Sequence, residues 1–344
     1  MPTPLDHLQA HQLRFIYEVA TPLTLQPNKG SALRGALLGA LRGHFCVLPG
    51  PGGMAEQDSP LCAACTSASA CPIAYLMANR DEAGALGRGQ EVPHPYVVEP
   101  PLSRQTAYQP GERLEFGLTL FGNALHTFPY LLIAAQRMGE QGLGLGRERG
   151  RLALREIWQV NPIAGQQVRL FHHQRAMARM PSLAVTAAQV HEFAADLPSD
   201  SFTVRFLTPA RLTAEGKLVQ SGPPLSLLIH RLLERLWMLA AVYAAPEGDD
   251  EREAHIAELR EWRVSWPQLL AEADKARMAG RGAGWQELER YSSRHDRKLE
   301  MGGLLGEARY VGDTSLLREL LAWGQITHVG KLAVAGNGWF EIDC

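Results

Sequence analysis

Three groups of residues in this chain have types and spacing that could do chemistry. The first is Gly330-Lys331, followed closely by Gly336-Asn337-Gly338. Glycine lets the main chain approach a ligand and adopt positive φ, so that freed N–H groups can face an anion. Lys331 adds a charge, and the stretch reads as a loop that holds phosphate through Lys331 and the amides of Gly330, Gly336 and Gly338. Its plainer alternative is a glycine-rich hairpin that only closes a sheet. No helical pattern follows it, so it is neither a Walker loop nor a dinucleotide fingerprint, and no nucleotide cofactor is expected.

The second group is Cys46, Cys62, Cys65 and Cys71. The C-x2-C pair Cys62/Cys65 can chelate one ion from a tight turn, and two further thiolates would complete a closed, structural zinc site. Four reduced thiols in a cytosolic chain are the alternative. Such a site has no open position for hydrolysis, and Cys344 is left over.

The third group is basic. Arg290, Arg294, Arg297 and Lys298 surround Tyr291 and follow Trp285, and Arg147, Arg149, Arg151 and Arg155 form another cluster. Against a formal net charge of -2 these are local features, and a solvated face is their ordinary explanation.

The elements that must position these groups can be read from periodicity. Leu13, Phe15, Tyr17 and Val19 alternate as in a half-buried strand over Gln12–Ala20. Ser31 is the expected N-cap of a helix carrying Leu33, Leu37, Leu38, Leu41 and Phe45, with His44 at the edge of that apolar stripe. Residues 46–110 read as an insertion, irregular from Ala78 to Gln109, with room for one more strand. Leu114 to Leu120 alternates as a strand, Phe128 to Met138 is helical, and Leu152 to Val160 is a strand. The order resembles a βαββαβ unit.

The second half repeats the plan. Phe202–Leu207 is a strand, and Leu225–Tyr243 is a long helix with Leu228, Leu232, Leu236 and Leu239 on one side. After the break at Pro246–Asp250 comes an acidic segment. Gly302-Gly303 and Gly306 are expected to make a turn, Leu316–Leu321 a helix, and Trp339–Ile342 the closing strand. A length of 344 residues with 46% hydrophobic content supports two cores, divided here as 1–160 and 161–344. The polar N-terminus has no secretory pattern, and no window is apolar enough to span a membrane; a cytoplasmic protein is expected.

Several of these residues together resemble the CRISPR precursor-crRNA processing endoribonucleases of the RAMP superfamily. They are Thr208-Pro209-Ala210-Arg211-Leu212 before a long helix, Trp285 with Arg290-Tyr291-Ser292-Ser293-Arg294, Gly302-Gly303-Leu304-Leu305-Gly306, and His328-Val329-Gly330-Lys331 through Gly338. Leu33-Arg34-Gly35-Ala36, the cysteine group and Gly142-Leu143-Gly144-Leu145-Gly146 extend the resemblance into the first half. It leaves out Ala78–Gln109 and Pro246–Gly284.

The resemblance implies an α+β fold of two tandem ferredoxin-like, RRM-like domains, and the cysteine spacing adds a zinc-binding insertion of four cysteines to the first. It implies binding of CRISPR repeat RNA, contacts with other CRISPR effector subunits, and one cut without metal, in which a 2′-hydroxyl attacks the adjacent phosphate. That chemistry needs a base near neutral pKa and donors for the phosphorane. His44 stands where the family often places its histidine, with Lys29 and Arg34 as phosphate partners and Tyr17 as a candidate acid. His295 and His328 compete as base, and His328 is also a candidate RNA contact, beside Arg290, Tyr291, Arg294, Arg297 and Lys298. The alternative is a RAMP subunit that holds guide RNA without cutting it.

Overall fold

The computed structural model describes residues 3–46, 62, 65–77, 92–145, 149–175, 177–292 and 297–343, with the main chain alone at 289–292 and 297–299. The chain divides into two compact units, one of His11–Ala184 and one of Met1–Ala10 with Val185–Cys344.

The first unit opens with strand β1 (Gln9–Val19), whose Leu13, Phe15, Tyr17 and Val19 are all buried, as the alternation predicts. Helix α1 (Lys29–Phe45) begins one turn earlier than Ser31 would cap it. Asn28 is the cap, its side-chain oxygen accepting the Ser31 amide at 3.5 Å. Leu33, Leu37, Leu38 and Leu41 bury its stripe.

Helix α2 (Pro72–Met77) and strands β2 (Tyr96–Glu99) and β3 (Arg113–Phe121) follow. Helix α3 (Phe128–Gln141) has a proline in its first turn and ends at Gly142, whose φ of 81° only glycine adopts cheaply. Strands β4 (Leu152–Asn161) and β5 (Gln166–His172) complete the unit. The sheet order is β2-β3-β1-β4-β5, and β1 with β4, β2 with β3 and β4 with β5 run antiparallel. The additional strand for which the insertion had room is β2.

In the second unit, helix α4 (Ala187–Asp196) starts in a capping box between Thr186 and Gln189 and precedes strand β6 (Ser201–Ala210). Helix α5 (Leu225–Tyr243) has the bounds its periodicity predicts and buries Leu228, Leu232, Leu236 and Leu239 completely.

The acidic segment after it is a 27-residue helix, α6 (Asp249–Lys275). Three acids in its first turn favour its N-terminus, and Ile256, Leu259, Trp262, Trp266, Leu269 and Ala273 make one buried stripe. Trp237 of α5 fastens the seam by donating its indole N–H to Leu259 O at 3.0 Å.

Strands β7 (Arg277–Ala279), β8 (Gly284–Gln286), β9 (Glu289–Ser292) and β10 (Arg297–Glu300) lead to β11 (Gly303–Val311). The expected turn at Gly303 and Gly306 is therefore a strand within the sheet. A Cβ on Gly303 would lie 2.8 Å from Ala210 O, so that glycine permits close strand approach. Gly306, at φ 95°, sits at a register shift. Helix α7 (Arg318–Thr327) and strand β12 (Phe340–Asp343) close the chain.

The sheet order is β7-β11-β6-β12, antiparallel throughout, with β8 pairing the other end of β11. If β7 and β8 are taken as one interrupted strand, both units have the order second-third-first-fourth, with helices after the first and third strands. Among the described residues no helix is long and apolar enough to cross a membrane.

Candidate functional site

Helix α1 carries three of the four candidate catalytic residues, but does not bring them together. His44 is exposed near the helix end, its ring edge-on to Phe45 at 4.7 Å, and Phe45 in turn meets Tyr130 at 5.1 Å. Arg34 lies ten residues earlier, about 15 Å along the axis. Its Nε donates to the Tyr96 hydroxyl at 2.9 Å, and a second nitrogen lies 3.4 Å from His94 Nε2.

Lys29 is farther still and only 2% exposed; its ammonium donates to Ser103 O, and burial lowers its pKa. Tyr17 is 1% exposed, stacks on Phe116 and donates its hydroxyl to Ala135 O at 3.0 Å. Burial raises the pKa of this phenol, which cannot reach a substrate. We therefore correct the expected constellation. His44 retains the exposure a base requires, Lys29 and Tyr17 are structural, and Arg34 supports the wall of the unit beneath α1.

The glycine loop is similarly redirected. Gly330, Gly336 and Gly338 do adopt positive φ, as does Leu332 at 65°. Most of their amides, however, are spent within the unit. Gly336 N–H donates to Ala333 O at 2.9 Å and Gly338 N–H to Pro209 O at 3.0 Å, while Lys331 N–H reaches Arg211 O at 3.0 Å. Asn337, 2% exposed, gives its side-chain amide to Pro209 O and Met301 O at 3.0 and 3.2 Å.

The loop is thus a clasp onto β6, and the amides of Gly336 and Gly338 are not phosphate donors. The N–H groups of Leu332, Ala333 and Val334 have no main-chain acceptor among the described residues. Lys331 projects from the clasp with an exposed side chain.

His328 is fully buried, parallel to the Trp339 ring at 5.8 Å, with φ 59°. Burial, and then the charge of Arg235, pushes its pKa down to about 3. A ring so placed contacts neither RNA nor a reacting proton, which corrects both roles expected of it.

Two arginines here were not among the expected site residues. Arg235 is half-buried, donates to Thr327 O at 2.6 Å, and is pushed down to about 10 by desolvation. Arg211 donates to Gly302 O at 2.5 Å and lies over the Trp285 ring at 5.6 Å. Its place before the long helix, in Thr208-Pro209-Ala210-Arg211-Leu212, was the signal available.

Arg290 and Tyr291 lie on β9, and Arg297 and Lys298 on β10. The two strands pair as a hairpin in the register Arg290↔Leu299, Tyr291↔Lys298 and Ser292↔Arg297. Arg294 and His295 lie outside the described residues.

Cys46, Cys62, Cys65 and Cys71 are half-buried. Burial raises the Cys62 thiol pKa, with Arg42 opposing and Cys46, Cys71 and Cys65 adding to the rise. Among the described residues no three cysteine, histidine or acidic side chains converge to hold a metal.

Residues 204–340 match the model of a family described as CRISPR-associated endoribonuclease Cas6. Residues 8–182 match AF_1859_N, described as an N-terminal domain. No curated protein matches the sequence significantly. Among solved structures, a partial Cas6-RT-Cas1-Cas2 complex is similar with TM-score 0.55 at 12% identity, over 98% of this chain and 46% of that one. Thermus thermophilus Cas6 gives TM-score 0.49 at 15% identity over 98% and 99% of the two chains. A Cas6 product complex gives 0.49 at 16% over 97% and 99%. At such identities the first of these speaks for the fold alone.

Proposed function

Since the chain belongs to the family of CRISPR repeat-RNA processing endoribonucleases, with the family's domain at residues 204–340, we propose that it binds CRISPR repeat RNA and cuts precursor crRNA into guide units. Both units are read as ferredoxin-like domains, the first cutting and the second holding RNA.

In the reaction His44 takes the proton of a 2′-hydroxyl, and the oxygen attacks the adjacent phosphorus. The bond to the 5′ oxygen breaks and that oxygen is protonated, leaving a 2′,3′-cyclic phosphate and a 5′-hydroxyl. An imidazole suits the first step because its ordinary pKa lies near neutrality. The observation that carries the assignment is the exposure of His44 on the end of α1, while Lys29 and Tyr17 are buried. Lys331, Arg290, Tyr291, Arg294, Arg297 and Lys298 are the proposed RNA contacts.

Cleavage of the repeat RNA in EDTA, by wild type and His44→Ala in parallel, tests this reading. One product pair ending in a cyclic phosphate, lost in the variant with binding retained, is the expected result. A zinc ion on the four thiols is a separate proposal that rests on the C-x2-C spacing, and elemental analysis of protein purified without chelator tests it.

The second reading is a RAMP subunit that holds crRNA among other CRISPR proteins without cutting. The separation of Lys29 and Arg34 from His44 favours it, and tight binding without any product would establish it.

A further inference from the structure

The exposed face of the first unit's sheet carries a group that the cutting and clasp residues do not include. Trp158 on β4 lies directly opposite Arg14 on β1 and Arg169 on β5. The Arg169 guanidinium lies over the Trp158 ring at 5.5 Å. Glu156 holds both in place, accepting the indole N–H at 2.7 Å and an Arg169 N–H at 3.1 Å.

A register shift between Ile16 and Tyr17 adds Arg155 to the same face, where it pairs with Glu18 at 3.0 Å. Arg14 and Arg113 share Glu115. Four arginines thus meet three carboxylates, and Arg14 and Arg169 keep 43% and 36% of their side-chain surface exposed.

The charge becomes one-sided beyond β4. Between Glu156 and Glu192 there is no carboxylate, against Arg169, Arg175 and Arg179. Arg175 and Arg179 are exposed, and the main chain of each is tied to the edge of β5, through His172 O and Leu170 O at 2.9 Å. Met177 and Met180 beside them are 83% and 54% exposed.

A pre-positioned indole–guanidinium stack, bordered by the exposed Arg175 and Arg179, complements a flexible polyanion with unpaired flat bases. A duplex keeps its bases paired inside and offers nothing to stack.

We propose that this sheet face is a second RNA site, which takes unpaired nucleotides, stacking a base on the Trp158–Arg169 pair while Arg175 and Arg179 follow the phosphates. The inference rests on the RNA-processing reading for its biological ligand, not for its chemistry.

The test uses the full chain and a fluorescein-labelled uridine octamer, followed by anisotropy. Trp158→Ala is expected to weaken binding about tenfold, the loss of one stacked base, with Trp158→Phe largely restoring it. Arg175→Gln with Arg179→Gln should lower the log–log salt slope by about 1.4, about 0.7 for each single-strand phosphate contact. The double variant alters exposed side chains, so it decides the matter if Trp158→Ala fails to fold.

Failure of wild type to bind the octamer, or unchanged binding by the folded variants, overturns the proposal. Repeat RNA cut normally together with that result would leave the proposed function standing. Octamer binding that depends on Trp158, with no repeat RNA bound or cut, would overturn the proposed function and leave this site.

Discussion

Val329 and Gly338 close the C-terminal clasp on each other. The Val329 amide donates to Gly338 O at 3.0 Å, and a Cβ added to Gly338 would lie 1.9 Å from Val329 O. Gly338 also has φ 70°, so both space and backbone conformation demand glycine.

Gly338→Ala should therefore destabilise the second unit by about 2 kcal/mol or more, since backbone strain and overpacking add. Urea unfolding monitored by intrinsic fluorescence would read it. An unchanged midpoint would mean that the clasp is not closed in solution.

His44→Ala should lower single-turnover cleavage of repeat RNA by about 100-fold or more, the typical contribution of a positioned base, while binding is retained. Cutting by the variant at the wild-type rate would move the base to another residue, His295 first.

Tyr17→Phe should leave the cleavage rate within about twofold. It should cost about 1 kcal/mol of stability through the lost bond to Ala135 O. A hundredfold slower reaction from a fully folded Tyr17→Phe would restore the phenol as the acid.

Lys331→Gln should weaken repeat-RNA binding and reduce its salt slope by about 0.7 to 0.9, the loss of one phosphate contact. Its side chain is exposed, so the melting temperature should not move. Equal slopes for wild type and variant would remove Lys331 from the interface.

Acid should destabilise the fold through its buried histidines. His328 is pushed down to about 3 and His11 to about 4, both by desolvation, from 6.5. A folded pKa below the unfolded one means that the fold favours the neutral ring. The stability it contributes is complete above about pH 6.5 and is lost as pH falls towards 3 to 4. The urea midpoint should fall between pH 7 and 4.5, less so in His328→Gln. A flat profile over that range would show that these rings are not buried in the working protein.

What the sequence determined was the set of elements whose pattern is local. The alternation of Leu13 to Val19 and of Leu114 to Leu120, and the leucine stripe of α5, each bury one face of one element, so neighbours in sequence carry the whole signal. Two βαββαβ orders and the family resemblance followed from those elements and from the order of the motifs.

Other features required the tertiary structure. The helix Asp249–Lys275 was missed because its stripe is spread thinly among charges and interrupted by Pro267, and packing against α5 decides it. Gly303 and Gly306 read as a turn because glycine marks turns and close strand approach alike, and only the neighbouring Ala210 main chain tells them apart.

The site divided in the same way. That His44 ends a helix follows from spacing, whereas the burial of Tyr17, Lys29 and His328 depends on chain far away in sequence: Ala135, Ser103 and Arg235. Residue type states what a side chain can do, but solvent access and partners are set by contacts between distant segments, and these decided which candidates remained chemically available.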